Sequence, residues 1–554
     1  MAIKSQKIVS DFETTTDKND VRVWGVCAVD IETGKTVHIG NSIENYFEWL
    51  KDKNTVCFFH NLKFDGEYIL HYLLTHGFKH TDRPEENCFE TLITDTGIFY
   101  SITVYFKREN KKWRKVVFYD SLKKLPFKVA TIAKAFELPM AKGSIDYDAP
   151  RPAGHELTEE EREYIQDDCR IVAGALKAQL GEGLTRMTNA SDALNSFKNL
   201  IGKDNFERQF PTFPVELDAD IRRAYKGGFV YLNPKYRGHR GLKGITFDVN
   251  SLYPWAMYNC LLPYGYPAFF EGEPEDDARY PLSIIRLQCE FEVKPDHIPT
   301  IQLKNNRAFI ETEYLSSSNG EIVQMTLTNV DLQLFLDHYN VYNLEYICGW
   351  RFKGKVGTFK EYIDHWMHIK ETTTGALRQL AKLMLNSLYG KFATNPNSRK
   401  KIPYIDDDGV VRYHVTDIEE RDPVYTAMGA FITAYAREKT IRSAQSVYDR
   451  FIYADTDSLH LVGHEIPEGL DVHPTRLGAW KNEGTFDDSI FVRAKTYCEL
   501  SDGNLKVTCA GMPDNVKEQV TLDNFHSGAT FGGKLMPRRY KGGIVLESST
   551  FTIK

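Results

Sequence analysis

The chain has 554 residues, 42% of them hydrophobic and 13% aromatic, and a formal net charge of −7. It is too long for one core and too apolar for a disordered chain, so several packed domains are expected. The nine cysteines include no C-x-x-C pair. This excludes a zinc ribbon or a disulfide framework and fits a reducing cytoplasm. "MAIKSQKIVSDFETTT" has no apolar signal region, and no stretch is long enough to span a bilayer, so no membrane partner is expected. Charge is nevertheless local: "FKRENKKWRK" (106–115), "KYRGHRGLK" (235–243), "SRKK" (398–401) and "MPRRYK" (536–541) are basic with interleaved aromatics.

Residues 1–120 alternate strand patterns ("KIVSDFETT", "VRVWGVCAVD", "KTVHIG", "TVCFFH", "KVVFYD") with helical ones ("SIENYFEWLKD", "DGEYILHYLLTHG"), an α/β pattern. Residues 158–181 read as a helix opened by a Thr158–Glu161 capping box. "GLKGITFDVNSLYPWAMY" reads as strand, turn and helix, and 261–357 as short strands and turns. "TFKEYIDHWMHIK", "ETTTG" and "ALRQLAKLMLNSLYGKFA" form a helical hairpin. A polar, loop-like stretch follows at 396–422. A helix then leads into the strand of "FIYADTDSLH" (451–460).

Two acid groups stand out. Asp11 and Glu13 are two apart on the first strand, Asp65 lies at a strand-to-helix junction, and Tyr164 and Asp168 share a helix face. Singly these are surface groups, and Asp65 a plain N-cap. Jointly, four carboxylates can hold two divalent cations about 4 Å apart, while the phenol orients a water.

The second group is Asp248, Asp455 and Asp457. In an extended strand Asp455 and Asp457 point the same way, roughly 7 Å apart. Like charges there repel and lose solvation unless a cation joins them, although a solvated turn reads equally well. Asp248 joins them if the strands pair, and the turn after it exposes amides suited to phosphate. Arg378, Lys382, Asn386 and Tyr389 form one helical stripe that suits a triphosphate and a stacked base.

"DFET", "NLKFD" and "YIQDD" resemble the exonuclease motifs of family B DNA polymerases. "DVNSLYP", "KLMLNSLYG", "YADTDS" and "KTY" resemble their polymerase motifs. "YDSLKKLPF", "YKGGF", "TAYAR", "CAGM" and the terminal "FTIK" look like the protein-primed enzymes of phi29-like phages. The resemblance spans Asp11 to Lys554. It implies a multidomain α/β chain: an RNase H-like 3′→5′ exonuclease domain, then a right-hand polymerase of palm, fingers and thumb.

By that resemblance the exonuclease covers 1–188 and the palm 189–259 and 422–509. The fingers cover 358–395 and the thumb 510–554. One insert (260–357) docks the priming protein, and a second (396–421) is a strand-displacement hairpin. Metal would bind Asp11, Glu13, Asp65 and Asp168 at one site, with Tyr164 positioning water. At the other it would bind Asp248, Val249, Asp455 and Asp457. Two Mg2+ ions are implied at each, with Mn2+ able to substitute. Tyr253, Lys370, Arg378, Lys382, Asn386 and Tyr389 would hold the nucleotide. Thr14, His60, Asn61, Phe64, Ser121, Leu122, Lys142 and Tyr147 would handle the single-stranded end. Tyr225, Gly227, Gly228, Thr433, Arg437, Lys495 and Tyr497 would contact DNA, the last two at the primer terminus.

Implied partners are template and primer DNA, deoxynucleotides and a phage terminal protein, the chain being a monomer or a heterodimer with that protein. The implied place is the cytoplasm of the bacterial host. Two departures stand out: Ser144 where relatives carry an acid, and a shortened stretch between Tyr497 and Cys509. A stand-alone exonuclease with a DNA-binding C-terminal region is the alternative, and the second acid group argues against it. A nucleotide-sugar glycosyltransferase would leave the first group and the Lys382 stripe unexplained.

Overall fold

The computed structural model describes residues 5–302 and 313–554. The reading of 261–357 therefore falls in part, at 303–312, outside the described residues.

The N-terminal unit is built on an eight-stranded mixed sheet. Its strand order is Thr36–Gly40, Val23–Asp30, Gln6–Thr14, Thr55–Phe59, Lys112–Asp120, Phe99–Glu109, Cys88–Ile93 and Lys79–His80. The first strand lies inside the sheet, parallel to Thr55–Phe59 and antiparallel to Val23–Asp30. The helix Glu159–Gly181 packs across the first two strands, and its capping box forms as expected. Gly25 makes this packing possible. A Cβ there would stand 2.8 Å from Ile165 Cδ1 and 3.2 Å from the Glu13 Cβ.

The second sheet is antiparallel throughout, in the order Trp480–Phe486, Gly244–Val249, Ser458–Val462, Phe451–Asp455 and Val230–Leu232. Asp248 and Asp455 both pair in register with Ser458. The strands of the three acids thus meet, but through an intervening strand rather than side by side. The long helix Thr426–Ser446 backs this sheet. The helices Lys360–Thr372 and Gly375–Phe392 form the expected hairpin above it.

The first insert departs from the expected short strands. It holds the long strands Leu282–Val293 and Tyr339–Lys355 and a helix Asn329–His338 in a four-stranded antiparallel sheet. Asn343 and Gly349 look like turn signals, yet both lie inside the 17-residue strand. Gly349 is there because a Cβ would press against the Ile284 carbonyl across the pair.

The loop-like stretch at 396–422 is two short ladders, Asn397–Ser398 with Glu419–Glu420 and Lys401–Ile405 with Val411–Val415. Its hairpin touches two other regions. The Asp95 amide donates to the Arg399 carbonyl at 3.1 Å, and Val410 bridges to Lys541 of the C-terminal hairpin Thr530–Tyr540/Gly543–Thr552. Arg539 of that hairpin lies 4.8 Å over the Tyr413 ring and bonds Glu67 of the helix Leu62–Thr75 at 2.8 Å. The shortened stretch after Tyr497 is a complete hairpin, Thr496–Ser501 with Asn504–Cys509, closed by Asp502 and Gly503 in left-handed conformations.

Candidate active sites

At the first site Asp11 and Glu13 lie on one face of Gln6–Thr14. Asp65 is not the N-cap that a plain reading allowed. Asn61 holds that place in a left-handed conformation, and Asp65 sits in the first turn, 3% exposed. The dipole of the helix start favours a carboxylate there. Asp168 comes from Glu159–Gly181, 5% exposed, one turn beyond Tyr164.

The charges crowd one another. Burial first, then Asp168, pushes Asp11 up to about 7, while the Lys142 ammonium pulls the other way. Burial and Asp11 hold Glu13 and Asp65 well above the carboxylate range. Asp168 is raised by burial against an ion pair with Lys142. The Tyr147 and Tyr164 hydroxyls bond at 2.6 Å, and Lys142 lies 5.3 Å over the Tyr164 ring. Burial, with Glu13 nearby, raises both phenols, so they stay protonated donors.

At the second site the expected extended geometry gives way to a turn. Phe451–Asp455 ends at Asp455, Thr456 turns left-handed with φ 61°, and the Asp457 amide reaches back to the Asp455 carbonyl at 2.7 Å. The acids flank a hairpin turn, as the solvated-turn reading had it, but they face a cavity. This space of about 690 Å³ is lined by Ser251, Tyr253, Asn386, Tyr389, Asp455, Thr456, Asp457 and Tyr497, among others. Although Asp457 is exposed as a residue, its carboxyl is pushed up to about 6 by burial, then by Asp248 and Asp455. Burial and Glu483 raise Asp248. Lys495 pairs with both Asp455 oxygens, at 3.0 and 2.9 Å. The Val249 amide donates to the Asp457 carbonyl at 2.7 Å.

Cations crowd opposite these acids. Burial lowers the Lys370 ammonium, and Lys382 and Arg378 lower it further. Arg378 donates to the Lys370 carbonyl at 2.6 Å, and Lys370 reaches the Ser251 hydroxyl at 3.3 Å. Tyr253 and Tyr389 stack at 3.9 Å with 16° between planes. Ser251, with φ 56°, opens the helix Leu252–Asn259 toward the same cavity.

Among the described residues, no three acid, imidazole or thiol groups already stand at metal-ligand spacing. A lysine ammonium lies on each cluster instead, on Asp168 and on Asp455. The donors still fit hard divalent cations: all are oxygens, carboxylates apart from the Val249 carbonyl, and Asp168 Oδ1 is buried without a hydrogen-bond partner.

Several expected contact residues are buried. Ser121 is fully buried; its hydroxyl bonds the Phe59 carbonyl and His60 Nδ1, so it orients His60 rather than facing solvent. Thr433 is 1% exposed and bonds its own helix. Arg437, 3% exposed, grips Asp331 bidentately and the Lys226 and Gly227 carbonyls at 2.8 Å. Arg437 thus shapes the loop of Tyr225, Gly227 and Gly228. Gly228 is the point of closest approach, since a Cβ there would stand 2.5 Å from Thr456 Oγ1. His60 also bonds the Phe127 carbonyl at 2.8 Å, while Thr14, Asn61, Phe64 and Tyr147 keep some exposure.

Asp120 went unnoticed in the sequence. Only 2% exposed, it takes the amides of Asn61, Leu62 and Leu122, and so fixes the start of the helix that carries Asp65. An aspartate directly before "SLKK" was the available signal, as a turn former.

A sheet bearing three acids, a facing helical hairpin bearing cations, and a second acidic site on a separate sheet define a nucleotidyl-transferring enzyme. The family described as DNA polymerase type B, organellar and viral, matches residues 48–152 and 149–473. The DNA polymerase of Bacillus phage M2 is 48% identical over 99% of this chain and 100% of its own length. That of Bacillus phage phi29 is 46% identical over 98% of each, and that of Streptococcus phage Cp-1 35% over 98% of each. A solved phi29 DNA polymerase complexed with primer-template DNA and incoming nucleotides superposes with a TM-score of 0.95 at 45% identity over all of both chains. The chain belongs to the family B DNA polymerases, among the phi29-like phage enzymes.

Proposed function

We propose that this DNA polymerase also proofreads with a 3′→5′ exonuclease, starts synthesis on a protein primer and displaces the strand ahead of it. The observation that carries the reading is that one chain holds two separate carboxylate clusters, each raised by burial and by its own members' charge. Carboxylates held that way are poised to bind cations.

Asp11, Glu13, Asp65 and Asp168 would hold the cations of the exonuclease site, and Asp248, Val249, Asp455 and Asp457 those of the polymerase site. Mg2+ suits these all-oxygen donors, and Mn2+ would substitute. Divalent cations held by these residues would supply positive charge to the phosphoryl group under attack. Tyr164, kept protonated and braced by Tyr147, would orient the attacking water. Lys370, Arg378 and Lys382 would bind the triphosphate of a deoxynucleotide. The Tyr253–Tyr389 stack would wall the sugar and exclude a 2′-hydroxyl. Lys495 and Tyr497 would hold the primer end.

Strand displacement is supported by the second insert, which touches both the N-terminal unit and the C-terminal hairpin and would there close round product DNA. Protein priming rests on the motif resemblance alone. The partner would be a phage terminal protein, in the cytoplasm of an infected bacterium. Among the described residues no helix is long and apolar enough to cross a membrane.

Rolling-circle synthesis on a primed circle, without helicase or clamp, tests the reading. Products many times the circle's length are expected. Arrest after one circuit would contradict strand displacement. Transfer of the first nucleotide to a terminal-protein hydroxyl is the companion test, and its failure would remove protein priming alone.

A further inference from the structure

His460 and Glu499 form a buried polar pair that the reacting groups do not account for. His460 lies on Ser458–Val462, in register with Thr246 on one side and Tyr453 on the other. Glu499 lies on Thr496–Ser501, the strand that presents Tyr497. The two residues are 1% and 4% exposed, and Nδ1 and Oε1 are 2.7 Å apart. The Thr246 hydroxyl stands 3.3 Å from Nδ1 and 3.4 Å from Oε1. Aromatic rings close the remaining sides of the imidazole: Tyr453 at 5.4 Å, Phe491 at 5.5 Å and Tyr497 at 5.1 Å. Burial alone would raise the Glu499 carboxyl, but His460, with Lys506 and Thr246, holds it below its ordinary value.

The location gives this pair its interest. Two separate sheets meet here. One carries the acids Asp248 and Asp455, and the other carries Tyr497 into the same cavity. Apolar contact between sheets tolerates sliding, whereas a charged hydrogen bond of 2.7 Å fixes direction and register. Tyr497 stacks on Phe491 at 5.0 Å and meets the His460 ring edge-on, so its ring is set by this bond's geometry. A second tie runs from the Lys495 amide to the Tyr453 hydroxyl at 2.9 Å, on the opposite flank of Tyr497.

We propose that His460 and Glu499 are positioning residues that lock Tyr497 and Lys495 against the acid-bearing sheet, and so set where the primer 3′ end lies relative to Asp248 and Asp455. The proposal rests on the reading of Lys495 and Tyr497 as holders of the primer end.

Glu499→Gln keeps the hydrogen bond. His460→Phe with Glu499→Leu removes both polar groups together and leaves neither unpaired. Each variant is measured for melting temperature, single-nucleotide addition to a paired primer, the KM for deoxynucleotide, and the ratio of trimming to extension at that end. The double variant should melt near wild type and keep its nucleotide KM. Its addition at saturating DNA should fall about tenfold, a loss of about 1.4 kcal/mol in transition-state stabilisation. Its trimming of paired ends should rise relative to extension, and Glu499→Gln should stay within about twofold of wild type.

A folded double variant with wild-type addition and partition would show that the pair is only core filling. If the double variant does not fold, Glu499→Met replaces it, and equality of Glu499→Met with Glu499→Gln would overturn the proposal. Tyr497→Ala separates the two readings. Unchanged use of paired ends by that variant would remove the primer-end reading itself.

Discussion

At the first site four acids arrive from three elements and lie mostly under cover, with Lys142 already paired to Asp168. At the second, Asp455 and Asp457 flank a turn that opens onto a cavity, with Lys370 reaching its Ser251 rim and Arg378 and Lys382 close to Lys370. Burial raises acids at both sites, but they are enclosed to different degrees. Glu13, Asp65 and Asp168 are each under 7% exposed, whereas Asp248 and Asp455 are half-buried and Asp457 is exposed. On the proposed reading the first site trims a single-stranded end, and such a site can be assembled on rigid strands and helices. A site that must admit a duplex end and a triphosphate needs open space, so its acids sit at a strand end and a turn. The cations opposite belong to this second task, because a triphosphate brings its own negative charge.

The sharpest way to break this comparison is Asp457→Asn. Extension should fall at least about a thousandfold, a loss of about 4 kcal/mol in transition-state stabilisation. Trimming of single strands should persist at the wild-type rate. Loss of both activities would mean that the two sites are not independent.

Replacing 399–418 by a Gly/Ser linker tests what surrounds the open site. Addition of one nucleotide at saturating DNA should be largely kept, since no acid is removed. Product length per binding event, measured with a DNA trap, should drop by about tenfold or more as the link from the N-terminal unit to the C-terminal hairpin is lost. Undiminished product length would make the hairpin a plain surface loop.

Tyr253→Val removes one ring of the stack at the cavity wall. Discrimination against ribonucleotides should weaken about tenfold to a hundredfold, with deoxynucleotide use kept. The enclosed site has no counterpart of this stack, so its trimming rate should not change. Unchanged sugar selection would place the gate elsewhere.

The smallest effect is expected at Glu161, which anchors the helix carrying Tyr164 and Asp168. Burial alone would raise its carboxyl, but His155, the Thr158 amide and Arg151 hold it down to about 2. A depressed carboxyl adds stability above its unfolded value, and that stability fades as pH falls toward the folded value. Glu161→Gln should therefore be less stable than wild type at pH 6, and the gap should narrow as pH falls below about 4.5. A gap independent of pH in urea unfolding would assign Glu161's role to shape alone.

Elements whose signals are local could be read from the sequence. The capping box of Thr158 and Glu161, the helical hairpin and the alternation of 1–120 all formed as their patterns required. The "DTD" stretch fitted strand and turn equally well in the sequence, and Thr456 takes a left-handed conformation that a β-branched residue rarely adopts. The close fit of Gly228, the Phe229 carbonyl and the Thr440 hydroxyl against Thr456 holds that turn. Arg437 and the His460–Glu499 pair act through partners distant in sequence, so their roles were not visible before the chain was folded. Ser121 and Thr433 show the converse: a resemblance names positions, but only the fold shows that both are buried and what their hydroxyls bond.

The central claim is that two separate acid sites share one chain, and a primer-template with a mismatched 3′ end tests it most directly. Asp11→Ala with Asp65→Ala should stop removal of the mismatched nucleotide, while addition to a matched end proceeds at the wild-type rate. Continued removal of the mismatch by the purified double variant, or loss of matched addition along with it, would contradict the account.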